Sequence, residues 1–241
     1  MGMLNTLIDV VYPPHCLSCG GTVGAGGGLC GACWREAQFL GGTRCDLCGV
    51  PLPGDTAAAP LICDACARVE RPWSAGRAAL AYDGTGRKLV LALKHGDRTD
   101  LPRAAAGWML HAAGDLVTRD MLAAPVPLHW FRLFRRRYNQ SALLAAEVAR
   151  QAGLSWCADL LQRKRATPSQ KGKSHEARFA NLAEAITAHP KRQGQIPGRT
   201  ILLIDDVMTS GATLGACADA CLRAGARDVR ILVLARVLRD T

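Results

Sequence analysis

An α/β fold is predicted for this chain: a parallel sheet flanked by helices, with a cysteine-rich metal-binding module on its N-terminal side. Three observations predict it. Residues 201–204, Ile-Leu-Leu-Ile, form an apolar run followed by Asp205-Asp206 and a Thr/Ser/Gly turn that opens a helix. A second strand–loop–helix pattern runs from Ala124 through an arginine-rich loop to Gly153. Four Cys-x-x-Cys pairs precede both. Short apolar runs that alternate with helical patterns are the mark of strands buried on both faces of a parallel sheet.

The central stretch carries the chemistry. In open α/β sheets, ligands bind at the carboxyl ends of strands. Backbone N–H groups at a helix N-terminus hold phosphate, helped by the helix dipole. Thr209, Ser210 and Thr213 add hydroxyl donors, and Gly211 lets the backbone approach closely. Asp205 and Asp206 would repel phosphate, but they suit sugar hydroxyls or a hard cation. A phosphate, a diol and Mg²⁺ together suggest a ribose 5-phosphate. A P-loop is excluded because no Gly-x4-Gly-Lys-Ser/Thr run occurs. An Asp-x-Asp-x-Thr nucleophile motif is excluded because the two aspartates are adjacent.

Composition sets bounds. At 241 residues and 49% hydrophobic, the chain is long enough to bury a large core and is not of the disordered class. No apolar run reaches the about 18 residues of a membrane-spanning helix. The N-terminus lacks a basic region and a small-residue cleavage site. A cytoplasmic protein without membrane insertion is therefore expected, with its paired cysteines read as metal ligands before disulfides. The net charge of +10 is uneven. Residues 1–72 hold four arginines against six carboxylates, whereas residues 119–199 hold 15 Lys/Arg against five. That basic block should face pyrophosphate, nucleic acid or both.

In chain order, Leu4, Leu7, Ile8 and Val11 fall on one face of a short helix that ends at Pro13-Pro14. The knuckles Cys16/Cys19, Cys30/Cys33, Cys45/Cys48 and Cys63/Cys66 follow. Each places two thiolates within reach of one tetrahedral Zn²⁺, and two knuckles complete a four-thiolate site. Sequential pairing is the simplest arrangement, and spacing alone also admits an interleaved one. No ligand position is left open, so two structural zinc ions are expected. A region this poor in large apolar residues needs them to fold.

Pro72 marks the expected boundary between an N-terminal module, 1–72, and a second domain, 73–241. Residues 77–82 read as a strand and 85–94 as a helix, where Lys94 would complement the helix dipole. Residues 101–117 read as a helix with Trp108 in the core. Residues 124–129 read as a strand with proline at its edges. Arg132, Arg135, Arg136 and Arg137 then form a cationic loop before Asn139-Gln140 opens a helix. Guanidinium groups suit phosphate, and this loop follows a strand's carboxyl end. Residues 163–173, which include Arg163 and Arg165, are basic and aperiodic, as a mobile lid would be. His175 reads as a surface residue at a helix start. Cys157, Cys217 and Cys221 read as core packing, Gly225 as a helix stop and 229–237 as the last strand.

The residues from Asp205 to Thr213 resemble the phosphoribosyl pyrophosphate (PRPP) signature of type I phosphoribosyltransferases. The chain as a whole resembles the ComF family, an N-terminal double zinc ribbon joined to a type I phosphoribosyltransferase fold. The matching segments are the four knuckles, Pro125 to His129, Arg136 with Asn139-Gln140, residues 160–163, Arg165-x-Thr167-x-x-Gln170 and Arg178-x-x-Asn181. One position departs: Arg137 stands where the family usually has glycine. The resemblance implies that Thr209 to Thr213 hold the 5-phosphate and that Asp205 and Asp206 take the ribose hydroxyls, directly or through Mg²⁺. It implies that Arg136, Arg163 and Arg165 stabilise pyrophosphate during transfer. Two functions follow as expectations. One is a Mg²⁺-dependent phosphoribosyltransferase whose acceptor the sequence does not name. The other is a single-stranded DNA-binding factor working with DNA-uptake machinery in natural transformation.

Overall fold

The computed structural model describes residues 13–24, 28–54, 60–95, 100–128, 138–163 and 185–238. The expected N-terminal helix, the Arg132–Arg137 loop, most of the 163–173 segment including Arg165, and His175 lie outside them.

Two short helices, α1 (Gly31–Glu36) and α2 (Asp64–Ala67), belong to the cysteine-rich region. Strand β1 (Ala75–Ala81) leads into α3 (Gly84–His95) and α4 (Leu101–Ala113). Then come β2 (Leu122–Pro125), α5 (Gln140–Ala152), β3 (Ser155–Trp156), β4 (Leu161–Arg163) and β5 (Ile186–Ala188). Strand β6 (Thr200–Met208), α6 (Ala212–Arg223) and β7 (Asp228–Arg236) complete the described chain. The main sheet runs β1-β7-β6-β2-β3, with every neighbour parallel. Strands β4 and β5 form a separate antiparallel pair against α6.

The α/β prediction holds, and the differences have local causes. Strand β6 does not stop at Ile204. Register with β7 continues through Asp205↔Val233 to Met208↔Arg236, so the two aspartates lie inside the strand. The helix expected to reach Val117 ends at Ala113, because Gly114 at φ 53° turns the chain into a short 3₁₀ segment. Helix α5 matches its prediction closely. Asn139 Oδ1 accepts from Ser141 N at 3.1 Å, and Gly153 at φ 68° ends the helix.

The sheet separates two cores. On one side Ile201, Leu203, Ile231 and Val233 pack with α6; on the other Leu202, Ile204, Leu232 and Leu234 pack with α4 and α5. The cysteine region is built into both. Cys45, Cys48, Cys66 and Trp73 share the first core, while Leu17 and Ala37 share the second. Residues 38–40 run antiparallel to β1, with Leu40 N donating to Ala79 O and Ala81 N to Gln38 O, both at 2.9 Å. An otherwise open sheet edge is thereby covered. Gly76 makes the close approach possible. A Cβ there would collide with Leu47 O and the Ile231 side chain. Trp108 is not in the core as expected. It is half-buried and meets Phe39 edge-on at 5.8 Å, so it clamps the cysteine region onto α4.

Candidate functional site

The cysteines assemble in two clusters of four, Cys16/Cys19/Cys30/Cys33 and Cys45/Cys48/Cys63/Cys66, with ligand atoms within 4.8 Å of one another in each. The pairing is sequential, not interleaved. A tetrahedral site with Zn–S of about 2.3 Å has sulfur–sulfur edges of about 3.8 Å. Cys19 and Cys30 Sγ lie 3.8 Å apart, and Cys48 and Cys63 Sγ 3.7 Å. Cys30 N donates to Cys16 Sγ at 3.3 Å and Cys33 N to Cys30 Sγ at 3.5 Å, as suits thiolate acceptors. Two sets of four thiols, each complete for a tetrahedral ion, fit two structural zinc ions.

The second centre reaches the turn that opens α6 through a short relay. Leu47, between two of its ligands, accepts from Trp73 Nε1 at 2.7 Å. The Arg71 guanidinium lies 5.2 Å from the Trp73 ring centre, and its Nη1 donates to Ser210 O at 2.9 Å. Arg236, only 6% exposed, donates from Nη1 to Thr209 O at 2.8 Å. The neighbouring Cys45 sulfur, with burial, pushes the Cys66 and Cys48 thiols up, and Arg71 and Arg236 respectively oppose that shift. Each has a buried Nε with no hydrogen-bond partner among the described residues. Orphaned buried donors beside this cluster fit the net negative charge of a zinc tetrathiolate.

Pinning these two carbonyls has a geometric consequence. In a trans peptide the C=O and the following N–H point in opposite directions. With the Thr209 and Ser210 carbonyls held by Arg236 and Arg71, the N–H groups of Ser210 and Gly211 aim the other way. Gly211 then begins α6 at φ 81°, a left-handed value. A Cβ there would come within 2.6 Å of Met208 Cε and 3.2 Å of the Trp73 ring. Gly211 offers no side-chain cap, and Ser210 Oγ accepts from Ala212 N at 3.4 Å. The turn, Asp205 and residues 207–214 line a small open cleft of about 60 Å³.

The acidic pair is split by strand geometry, because adjacent strand residues point to opposite faces. Asp205 Oδ1 accepts from Ser141 Oγ at 2.8 Å and from Asp206 N at 2.9 Å. Burial, then the neighbouring Asp206 charge, push the Asp205 carboxyl up to about 7. Asp206 Oδ2 instead meets Lys94 Nζ at 3.0 Å, in a pair 13% and 20% exposed. Asp205 alone of the pair lines the cleft.

The double zinc ribbon domain matches residues 7–67, and the phosphoribosyl transferase domain matches 139–241. DNA utilization protein YhgH of Escherichia coli O157:H7 is 30% identical over 217 residues, covering 88% of this chain and 91% of that protein. The Salmonella typhi protein of that name is 31% identical over 218 residues, with the same coverage. Competence protein F of Haemophilus influenzae is 27% identical over 228 residues, 92% of this chain and 96% of that protein.

The chain belongs to the ComF family.

In this ComF-family fold, Asp205 and the turn Thr209-Ser210-Gly211-Ala212-Thr213 come together as the sequence predicts, and Asp206 sits one residue on against Lys94. Arg163 ends β4 opposite Ile186. Burial pushes the Cys217 thiol well up, and the charges of Asp205 and Arg163 act on it in opposite directions. Arg136 and Arg165 lie outside the described residues. The flank of the Arg136 loop is placed: Asn139 Nδ2 donates to Val126 O at 3.1 Å, which holds the start of α5 at the carboxyl end of β2. Sequence reasoning missed four participants, Arg71, Lys94, Ser141 and Arg236. Only Ser141, just after Asn139-Gln140, had a nearby signal.

Proposed function

We propose that this protein binds PRPP or a ribose 5-phosphate together with Mg²⁺, as a phosphoribosyltransferase-like member of its family. One observation supports this most: a carboxylate and a helix-opening turn with outward-aimed N–H groups line the same cleft. The 5-phosphate would rest on the N–H groups and hydroxyls of residues 209–213. Asp205 would accept from the ribose hydroxyls, with Asp206 behind it. Asp205 offers the cleft a hard oxygen donor suited to Mg²⁺, which would supply charge neutralisation of pyrophosphate, while Asp206 stays paired with Lys94. Arg163, with Arg136 and Arg165 on the family pattern, would meet the charge that develops on pyrophosphate as the C1–O bond breaks. The reaction class is pentosyl transfer, with the acceptor unassigned, in a cytoplasmic protein whose zinc thiolates stay reduced. Among the described residues no helix is long and apolar enough to cross a membrane.

Titration of PRPP with and without Mg²⁺, on the wild type and on Asp205→Asn/Asp206→Asn, tests this. Mg²⁺-dependent saturation that the double variant loses is expected. No binding to the wild type would end the reading.

The relatives' names, DNA utilization protein and competence protein, favour a second reading. Here the same fold serves a single-stranded DNA-binding factor in DNA uptake, and the basic residues of 119–199 grip phosphates. Affinity for an oligonucleotide should then fall steeply with salt. Absent or salt-independent binding counts against it.

A further inference from the structure

The turn that faces the small cleft has a second cavity behind it. This one is about 490 Å³ and lies between the second zinc centre and the turn. Its walls include Val50, Leu52 and Ile62, from the chain between the two cysteine pairs of that centre, and Ile62 is 44% exposed. Arg71 and Arg236 line it as well, on the far side of the Thr209 and Ser210 carbonyls they hold. The volume is within the range of small-molecule sites. We infer that this cavity binds an uncharged, planar, one- or two-ring molecule carrying a carbonyl or ring-nitrogen acceptor.

Each part of that description has a cause. Apolar walls favour a ring over a hydrated chain. Guanidiniums carry five N–H donors and no acceptor, and their flat faces stack on rings, so a ligand against them needs an acceptor and gains from planarity. An anion is disfavoured despite two cations. Cys63, a ligand of the second zinc centre, and the Asp64 carboxylate both line the cavity and set negative charge against the two guanidiniums. The site does not depend on sugar-phosphate binding in the neighbouring cleft.

The test uses the zinc-loaded full chain and quinolin-2-one as probe, titrated by calorimetry. One-to-one saturation is expected. Ile62→Glu, which sets a charge in the wall, should weaken it about tenfold or more. Ile62→Trp, which fills the space, should do likewise, and position 62 is exposed enough for both to fold. Leu222→Glu, at a separate exposed position on α6, should leave it unchanged. Naphthalene, without an acceptor, should bind about fivefold more weakly or worse, and 2-naphthoate should also bind more weakly. Absence of saturation, equal binding by folded Ile62 variants, equal weakening by Leu222→Glu, or equal affinity for naphthalene or 2-naphthoate would each overturn the inference.

Discussion

Arg71 donates to the carbonyl of Ser210 at 2.9 Å, across 139 residues of sequence, and so ties the end of the cysteine-rich region to the turn that opens α6. The zinc module is therefore part of the site's scaffold. Its second zinc centre holds Trp73 through Leu47, Trp73 supports Arg71, and Arg71 with Arg236 sets the direction of two backbone N–H groups.

Arg71→Ala should therefore weaken PRPP by about tenfold, the size of one charge-assisted hydrogen bond and its orienting effect. Zinc content should remain at two ions per chain. Arg71→Lys should recover part of the affinity, since a single ammonium donor lacks the flat face that rests on Trp73. Equilibrium PRPP binding alongside metal analysis checks this. Wild-type affinity in Arg71→Ala would mean that Arg236 suffices to hold the turn.

Lys94 and Asp206 form a pair that is mostly shielded from water. Removing one partner leaves a charge without its counterion, which costs more than the pair itself contributes. Lys94→Met should lower stability by about 2–3 kcal/mol in urea unfolding at neutral pH. Adding Asp206→Asn to it should restore most of that loss. Additive losses in the double variant would show that Lys94 acts through its packing, not its charge.

Much of the fold was legible because its signals are local. The apolar run of β6, the Asn139 cap, Gly153 and the Cys-x-x-Cys spacing each depend on a few adjacent residues, and each appears where expected. The site was legible in its spine, Asp205 and residues 209–213, for the same reason. Its supports were not. Arg71 and Arg236 reach the turn only because β1 and β7 lie side by side and the zinc knuckle packs against them, and no short-range pattern encodes that. Lys94 was read as a helix-dipole partner because its counterion is far off in sequence. The aspartates were expected beyond the strand because charge usually ends one. Here Ser141 and Lys94 satisfy both carboxylates inside it.

The two zinc centres should differ in what their loss does. Cys45, Cys48 and Cys66 belong to the core formed with β6, β7 and α6, whereas Cys19 is exposed. Cys63→Ser and Cys19→Ser should each lower bound zinc from two ions towards one. The Cys63 variant should lose at least about 2 kcal/mol more stability, because the core beneath it loosens as well. It should also speed amide exchange in residues 209–214, which Cys19→Ser should leave near wild type. Metal analysis, thermal unfolding and hydrogen exchange measure the three. Equal exchange in both variants would disconnect the second zinc from the turn.

Asp205 makes ligand binding and stability run in opposite directions with pH. Burial, reinforced by the Asp206 charge, raises its carboxyl from 3.8 to about 7. Its proton is thus held more tightly in the folded chain than in the unfolded one. The stability this group contributes is fully present below its ordinary value of 3.8 and is lost as pH rises through about 7. On the proposed function, ligand binding would need the ionised form, which can accept from ribose hydroxyls and suits a cation. PRPP affinity in the presence of Mg²⁺ should accordingly rise from pH 6 to about 8 and then level off. Ser141 Oγ donates to Asp205 Oδ1 and so favours ionisation. Ser141→Ala should move the midpoint of the binding curve upward in pH. Asp205→Asn should abolish the rise and flatten this group's part of the stability profile over the same interval. Affinity measured at half-unit steps from pH 5.5 to 8.5, with urea unfolding at the same values, separates the two effects. If Asp205→Asn kept the wild-type slope, another group would have to carry the titration.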